Sequence, residues 1–485
     1  MAIDHYSTAT AMLAALRRRA ISSTELVDMH IARIEAYDGK LNAIPVRTFD
    51  RARQAAQQAD ERIAAGDTAP LLGLPMTLKE STLTAGLPQS AGMLHCKDYR
   101  PAIDGPIATR VFGAGAGLLG KTNIPVALGD WQADSPVYGR TNNPWDVSRT
   151  PGGSTGGGGA ALAAGMTPLE VGSDIGGSIR VPAAYCGIYG HRPSETAIPK
   201  SGAFPQADVP NPAFLMGVQG PLARSAFDLE LLFDVLVGPE PGEEVGWKLA
   251  LPPARHQRLA DFRVALLPPP LGVTASARML ARLEELVQFL SRAGARVAEA
   301  APGFDLTAYY HDYLRLLNVM TTIGLPREQR EAQAAQLREA GDPASVARAE
   351  GLEMDAAVYV LLVARRERAR IAWRDFFREW DIVLAPMTLD VAFPHQEGAF
   401  ADRRLTVDTR SLPYEANLLY AMPAIFAGLP STAFPGGLHE AGLPLGLQAI
   451  GPYLEDRTTL TFAQLLEEAW YRFEPPPAYG GSTSG

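Results

Sequence analysis

Residues 151–193 read PGGSTGGGGAALAAGMTPLEVGSDIGGSIRVPAAYCGIYGHRP. Two serines stand in glycine-dense turns, Ser154 in GGSTGG and Ser178 in SDIGGSIRVP. Between them residues 160–164 predict a helix and 169–171 a strand, so the stretch is patterned rather than low-complexity. Glycine turns let backbone N–H groups approach a ligand without a Cβ in the way. A serine beside such donors points to a nucleophile next to an oxyanion hole.

Upstream, 73–82 reads GLPMTLKEST, a short apolar strand carrying one lysine, Lys79. A lysine there is either buried against a cleft or reaches solvent along its aliphatic stem. Ser22 and Glu25 form a capping box ahead of a helix with Val27, Ile31 and Ile34 on one face. A second helix is predicted over 49–65, ending at Gly66. Residues 107–114 predict a helix and 117–119 a buried strand. GAGLLGKT, 115–122, matches the phosphate-loop pattern, but Pro125 falls inside the helix that such a loop must open, so the match is rejected. The loop 123–150 holds Trp131, Tyr138 and Trp145, placed equally well to line a pocket or to anchor the loop.

Downstream, 201–220 is an irregular Pro-rich stretch and 225–237 a helix. FRVALL, a helix over 275–293 closed by Gly294, and ARVAEA spell a β-α-β crossover, which implies parallel strands. Residues 304–378 read as a helical insertion, 381–385 as a buried strand, and PSTAFPGG and LPLGLQAIGP as two more. A last helix, 456–470, precedes the Pro/Gly-rich tail 475–485, expected to be disordered. Alternating strands and helices predict an α/β layered sheet.

Composition narrows the function. The chain of 485 residues has 47% hydrophobic and 20% charged residues, an ordinary globular balance. A net charge of −9 with no basic cluster argues against a nucleic-acid partner. Two cysteines, Cys96 and Cys186, make neither a disulfide framework nor a metal-spaced pair. No run approaches the roughly 20 apolar residues of a membrane span, and the N-terminus lacks a signal-peptide core. A cytoplasmic protein without membrane partner, metal or cofactor is expected. No pattern in the chain sets an oligomeric state.

Taken together, GLPMTLKEST, GKTNIP, YGRTNNPWDVSRTPGGSTGG, GSDIGGSIRVPAAYCGIYGHRPS and GPLARSAFDLELLFDVLVGP closely resemble the amidase signature family. WDIVLAP and the strands near 431–450 resemble its C-terminal half, so the likeness runs from about residue 5 to 470. The resemblance implies an α/β fold with a mixed sheet core flanked by helices on both faces. It implies one catalytic domain over 1–474, with a helical cap at 304–378. It further implies a Ser–cis-Ser–Lys triad: Ser178 as nucleophile, Ser154 as bridging serine after a cis peptide bond, and Lys79 as base. Backbone N–H groups of Ile175, Gly176, Gly177 and Ser178 would form the oxyanion hole, supported by Thr155, Asp174 and Arg180. By position in the resemblance, Leu128, Gly129, Trp131 and Tyr138 would contact substrate, as would the 201–218 loop.

Physics agrees with these roles. A lysine serves as a base near neutral pH only when burial lowers its pKa. Such a triad acts on acyl carbonyls, so amides, anilides, esters and carbamates (a urethanase activity) are chemically open. The apolar-to-aromatic lining expected of the pocket, without an obvious cationic clamp, favours small uncharged amides or anilides. Three departures from the family pattern stand out: Thr155 for a second serine, Ser173 for a threonine, and Gly158 for a small polar residue. None removes a triad group. Two other readings share the fold, an amidotransferase subunit releasing ammonia from glutamine and a non-catalytic binding protein. GGSTG also fits the G-x-S-x-G elbow, with Ser154 as nucleophile, but no hydrophobic strand precedes it and His395 and His439 lack an acid partner.

Overall fold

The computed structural model describes residues 3–205 and 214–480. Its centre is an 11-stranded sheet. From one edge the strands run Val46–Arg47, Gly117–Thr122, Pro75–Lys79, Leu169–Asp174, Val218–Ala223 and Tyr189–Arg192. They continue with Ser431–Leu438, Pro444–Ile450, Ile382–Pro386, Arg263–Leu266 and Arg296–Glu299. Pro75–Lys79 pairs parallel with both of its neighbours, whereas the strands from Leu169 to Ile450 in that order pair antiparallel. The sheet is therefore mixed, and helices flank it.

Local sequence explains the elements. Ser22 Oγ accepts from Glu25 N while the Glu25 carboxylate accepts from Ser22 N, capping helix Ser23–Leu41. Helix Ala277–Arg292 starts on Ser276, buries Met279, Leu286 and Leu290, and stops at Gly294, whose φ of +96° suits glycine alone. It carries the chain between Arg263–Leu266 and Arg296–Glu299, which pair parallel as the crossover predicts.

Two segments differ from expectation. Helix Gly156–Ala163 begins at the glycines themselves, four residues before the predicted start. Close packing overrides glycine's poor helix propensity there: a Cβ on Gly157 would lie 2.2 Å from Asn123 N. In the tail, 475–480 is docked rather than disordered; 481–485 lies outside the described residues. Tyr479 is buried, its ring 5.4 Å from that of Tyr37, and its carbonyl accepts from Tyr6 Oη at 3.0 Å and from Arg33. One aromatic anchor thus outweighs a Pro/Gly composition.

Residues 117–122 of the phosphate-loop match form strand Gly117–Thr122, where Lys121 is buried and donates to the Pro88 carbonyl. The insertion forms helices Leu306–Thr321, Arg327–Ala340, Pro343–Leu352 and Ala356–Phe376. Arg366 of the last pairs with Glu195, both buried, and Tyr309 of the first donates to Pro423 O at 2.8 Å. No helix among the described residues is long and apolar enough to cross a membrane.

Candidate active site

Lys79 closes the fully buried strand Pro75–Lys79, which lies between two parallel neighbours. Its side chain is 1% exposed, and Nζ lies 2.7 Å from Ser154 Oγ and 2.9 Å from Ser173 Oγ. Burial pushes the amine down to about 7, while the carboxylates of Asp174 and Glu170 hold it up. A lysine in that range exchanges its proton near neutral pH.

Ser154 is held in a crowded turn. The Gly153–Ser154 peptide is cis, and a Cβ on Gly153 would lie 2.3 Å from Asp130 O. The segment Asp130–Trp131 therefore crosses directly against the Ser154 turn, at a distance only glycine permits. Thr155 N donates to Ser178 O at 3.2 Å, which ties the two serine turns together. No hydrogen bond joins Ser178 Oγ to another group among the described residues; the backbone link is what ties its turn to that of Ser154.

The turn carrying Ser178 is fixed from several sides. Asp174, at the end of strand Leu169–Asp174, accepts from Gly177 N at 3.0 Å and Ile179 N at 3.3 Å. The Gly177 N–H is thus engaged by Asp174, whereas those of Ile175, Gly176 and Ser178 make no hydrogen bond among the described residues. Carbonyls of the same turn are also held: Trp131 Nε1 donates to Gly176 O at 3.0 Å and Tyr313 Oη to Ile175 O at 3.2 Å. A peptide plane fixed at its carbonyl is fixed at its N–H. Tyr313 therefore aims the Gly176 N–H, and Trp131 that of Gly177.

Charge behind the turn is matched. Arg180 reaches Asp174 with Nε at 3.1 Å, and Arg192 Nη1 lies 3.5 Å from the same carboxylate, all completely buried. Burial works to raise the Asp174 pKa, but the two guanidiniums outweigh it and hold it at about 2. Arg180 also donates to Gln448 Oε1 at 2.8 Å. Thr155 is buried, and a Cβ on Gly172 would lie 2.6 Å from its Oγ1.

The structure brings Lys79, Ser154, Thr155, Asp174, Ile175, Gly176, Gly177, Ser178 and Arg180 into one locus. Trp131 joins them as a clamp; its ring packs on Phe400 and Tyr414 at 5.6 and 5.2 Å. Tyr138 lies elsewhere: its hydroxyl donates to Glu80 Oε1 at 2.7 Å in a cluster with Ser90. Leu128 and Gly129 form a tight turn in which Leu128 has φ +60°. Of the 201–218 loop, 206–213 lies outside the described residues. Sequence reasoning missed Tyr313, Arg192, Gln448 and Glu170. Arg192 and Gln448 lay inside the quoted motifs, but Tyr313 sits in a helix whose pattern carries no such signal.

The amidase family model matches residues 25–460. An indoleacetamide hydrolase of Bradyrhizobium diazoefficiens is 32% identical over 91% of this chain and 83% of its own. A glutamyl-tRNA(Gln) amidotransferase subunit from Salinispora tropica is 34% identical over 98% of this chain and 99% of its own. Among solved structures, a chain from a vestigial protein complex, described as revealing the evolutionary origins of an s-triazine catabolic enzyme, superposes with a TM-score of 0.81. It is 28% identical and covers 96% of this chain and 99% of its own. On the family match and on relatives of this identity and coverage, the chain belongs to the amidase signature family of amide hydrolases.

Proposed function

We propose that the protein hydrolyses C–N bonds of small uncharged amides or anilides, with esters and carbamates within reach of the same chemistry, through an acyl-enzyme on Ser178. The observation that carries this reading is the buried lysine amine 2.7 Å from Ser154 Oγ, with the Ser178 turn tied to the same loop. Ser178 Oγ attacks the carbonyl carbon and passes its proton to Ser154 Oγ, whose own proton goes to neutral Lys79 Nζ. The negative charge that develops on the carbonyl oxygen is met by N–H groups of the 175–178 turn. Those of Ile175, Gly176 and Ser178 are open to it, while Gly177 contributes mainly through its bond to Asp174.

The relay then runs in reverse. Lys79 returns a proton through Ser154 to the leaving nitrogen, the C–N bond breaks, and water repeats the sequence to release the acid and restore Ser178. Thr155, Asp174 and Arg180 hold the turns rather than touch substrate. Residues 128–131 line the approach, since the Asp130–Trp131 segment passes against the Ser154 turn. Similarity over nearly the whole chain to an amidotransferase component favours a second reading, release of ammonia from glutamine.

A fluorophosphonate probe followed by peptide mass spectrometry tests the roles. Modification of Ser178 is expected, and modification of Ser154 instead would reverse the two serines. An amide panel that includes glutamine decides the substrate class: hydrolysis confined to glutamine replaces the small-amide reading by the second one.

A further inference from the structure

Glu170 shares a sheet face with Lys79 and has no part in the relay proposed above. It stands in register with Thr77, two residues before Lys79 on the adjoining parallel strand. Residues two apart on a strand point to the same face. Lys79 stands in register with Thr122 of the next strand, whose hydroxyl donates to Glu170 Oε1 at 2.7 Å. The Glu170 side chain is completely buried, and Oε2 has no hydrogen-bond partner among the described residues. A buried carboxylate with an unpaired oxygen favours taking up a proton. Burial raises this carboxyl to about 7, against the pull of Thr77, Thr122 and Lys79. Two nearby groups that titrate in one range share their protons as a pair.

The sequence carries a trace of the arrangement. A Cβ on Gly158 would lie 2.6 Å from Glu170 Cγ and 2.8 Å from Oε1. The departure from the family pattern at Gly158 is therefore the space that the Glu170 side chain occupies.

We propose that Glu170 is a positioning residue for the Lys79 amine, holding a proton jointly with it and setting the pH at which the amine becomes a base. The inference rests on the triad reading. The other groups around Lys79 do not compete for this part. Ser154 and Ser173 are neutral hydroxyls. Asp174, though its charge also holds the Lys79 ammonium up, is kept at about 2 by Arg180 and Arg192 and so stays an anion that shares no proton with the amine. Lys121 alternates onto the opposite face and donates to Pro88 O. The Glu80 carboxylate accepts from Ser90 and Ala91 N–H groups.

The rate of fluorophosphonate labelling against pH tests this without a known substrate. In the wild type the rate rises as Lys79 becomes neutral. In Glu170→Gln, which keeps the shape but cannot become an anion that stabilises the ammonium, the midpoint is expected to move down by about one pH unit. An unchanged or raised midpoint overturns the proposal. A wild type that stays unlabelled at every pH overturns the triad reading instead, and the pairing with it. Should Glu170→Gln not fold, infrared difference spectra of the wild type serve. Burial raises Glu467 to about 7 as well, so the spectra are compared with those of Glu467→Gln. A protonated-carboxyl band that survives this change and disappears over the same pH range as labelling rises supports the pairing, and no such surviving band between about pH 5 and 9 refutes it.

Discussion

Burial holds the Lys79 amine near a pKa of 7, against 10.5 for a free lysine. In the unfolded chain the amine keeps its proton up to the higher value, so between the two the unfolded state binds more protons. Stability contributed by this group therefore rises with pH from about 7 to 10.5, and below that window the full penalty of a buried ammonium is present. At about 1.4 kcal/mol per unit of depression, the penalty at pH 6 is on the order of 4–5 kcal/mol. Lys79→Met keeps the length of the side chain and removes the charge. It also loses the contacts to Ser154 and Ser173, each worth about 1 kcal/mol. The variant is expected to be more stable than the wild type by about 2–3 kcal/mol at pH 6, with the gap closing near about pH 9 and reversing above it. Urea unfolding followed by circular dichroism at several pH values measures it. Equal or lower stability of Lys79→Met at pH 6, or a gap independent of pH, refutes the reasoning.

Tyr313→Phe removes the hydroxyl that holds the Ile175 carbonyl. Loss of about 1 kcal/mol of orientation at the Gly176 N–H predicts a fall in kcat of roughly 3- to 10-fold with KM nearly unchanged. Steady-state kinetics on any amide found active checks it, and a change confined to KM sinks the positioning argument. Asp174→Asn leaves two completely buried guanidiniums without their counter-charge. A stability loss of about 3–5 kcal/mol is expected by denaturant titration, and a loss below about 1 kcal/mol contradicts the account.

Much of this architecture could be read from the chain because its signals are local. The Ser22–Glu25 box, the stop at Gly294 and the apolar run ending on Lys79 each name an element from a few adjacent residues. The two serine turns were readable for the same reason, glycine being required wherever backbone crosses backbone closely. What escaped depends on distant partners. The Gly156–Ala163 helix contradicts glycine's propensity and forms because Asn123 and Glu170 leave no room for a Cβ. Tyr313 meets the Ser178 turn from 138 residues away, and no periodicity in its own helix announces the contact. Tyr138 shows the converse: an aromatic in the right loop, whose hydroxyl is claimed by Glu80.

The Arg180–Gln448 hydrogen bond spans 268 residues of chain. Gln448 in turn donates to the carbonyls of Pro386 and Tyr420, so the brace behind the Ser178 turn is made from the last strands to be synthesised. A nascent chain emerging from the ribosome exposes Lys79, Ser154 and Ser178 long before it can lock them in place. The brace behind the Ser178 turn is thus completed only once the last strands have joined the sheet.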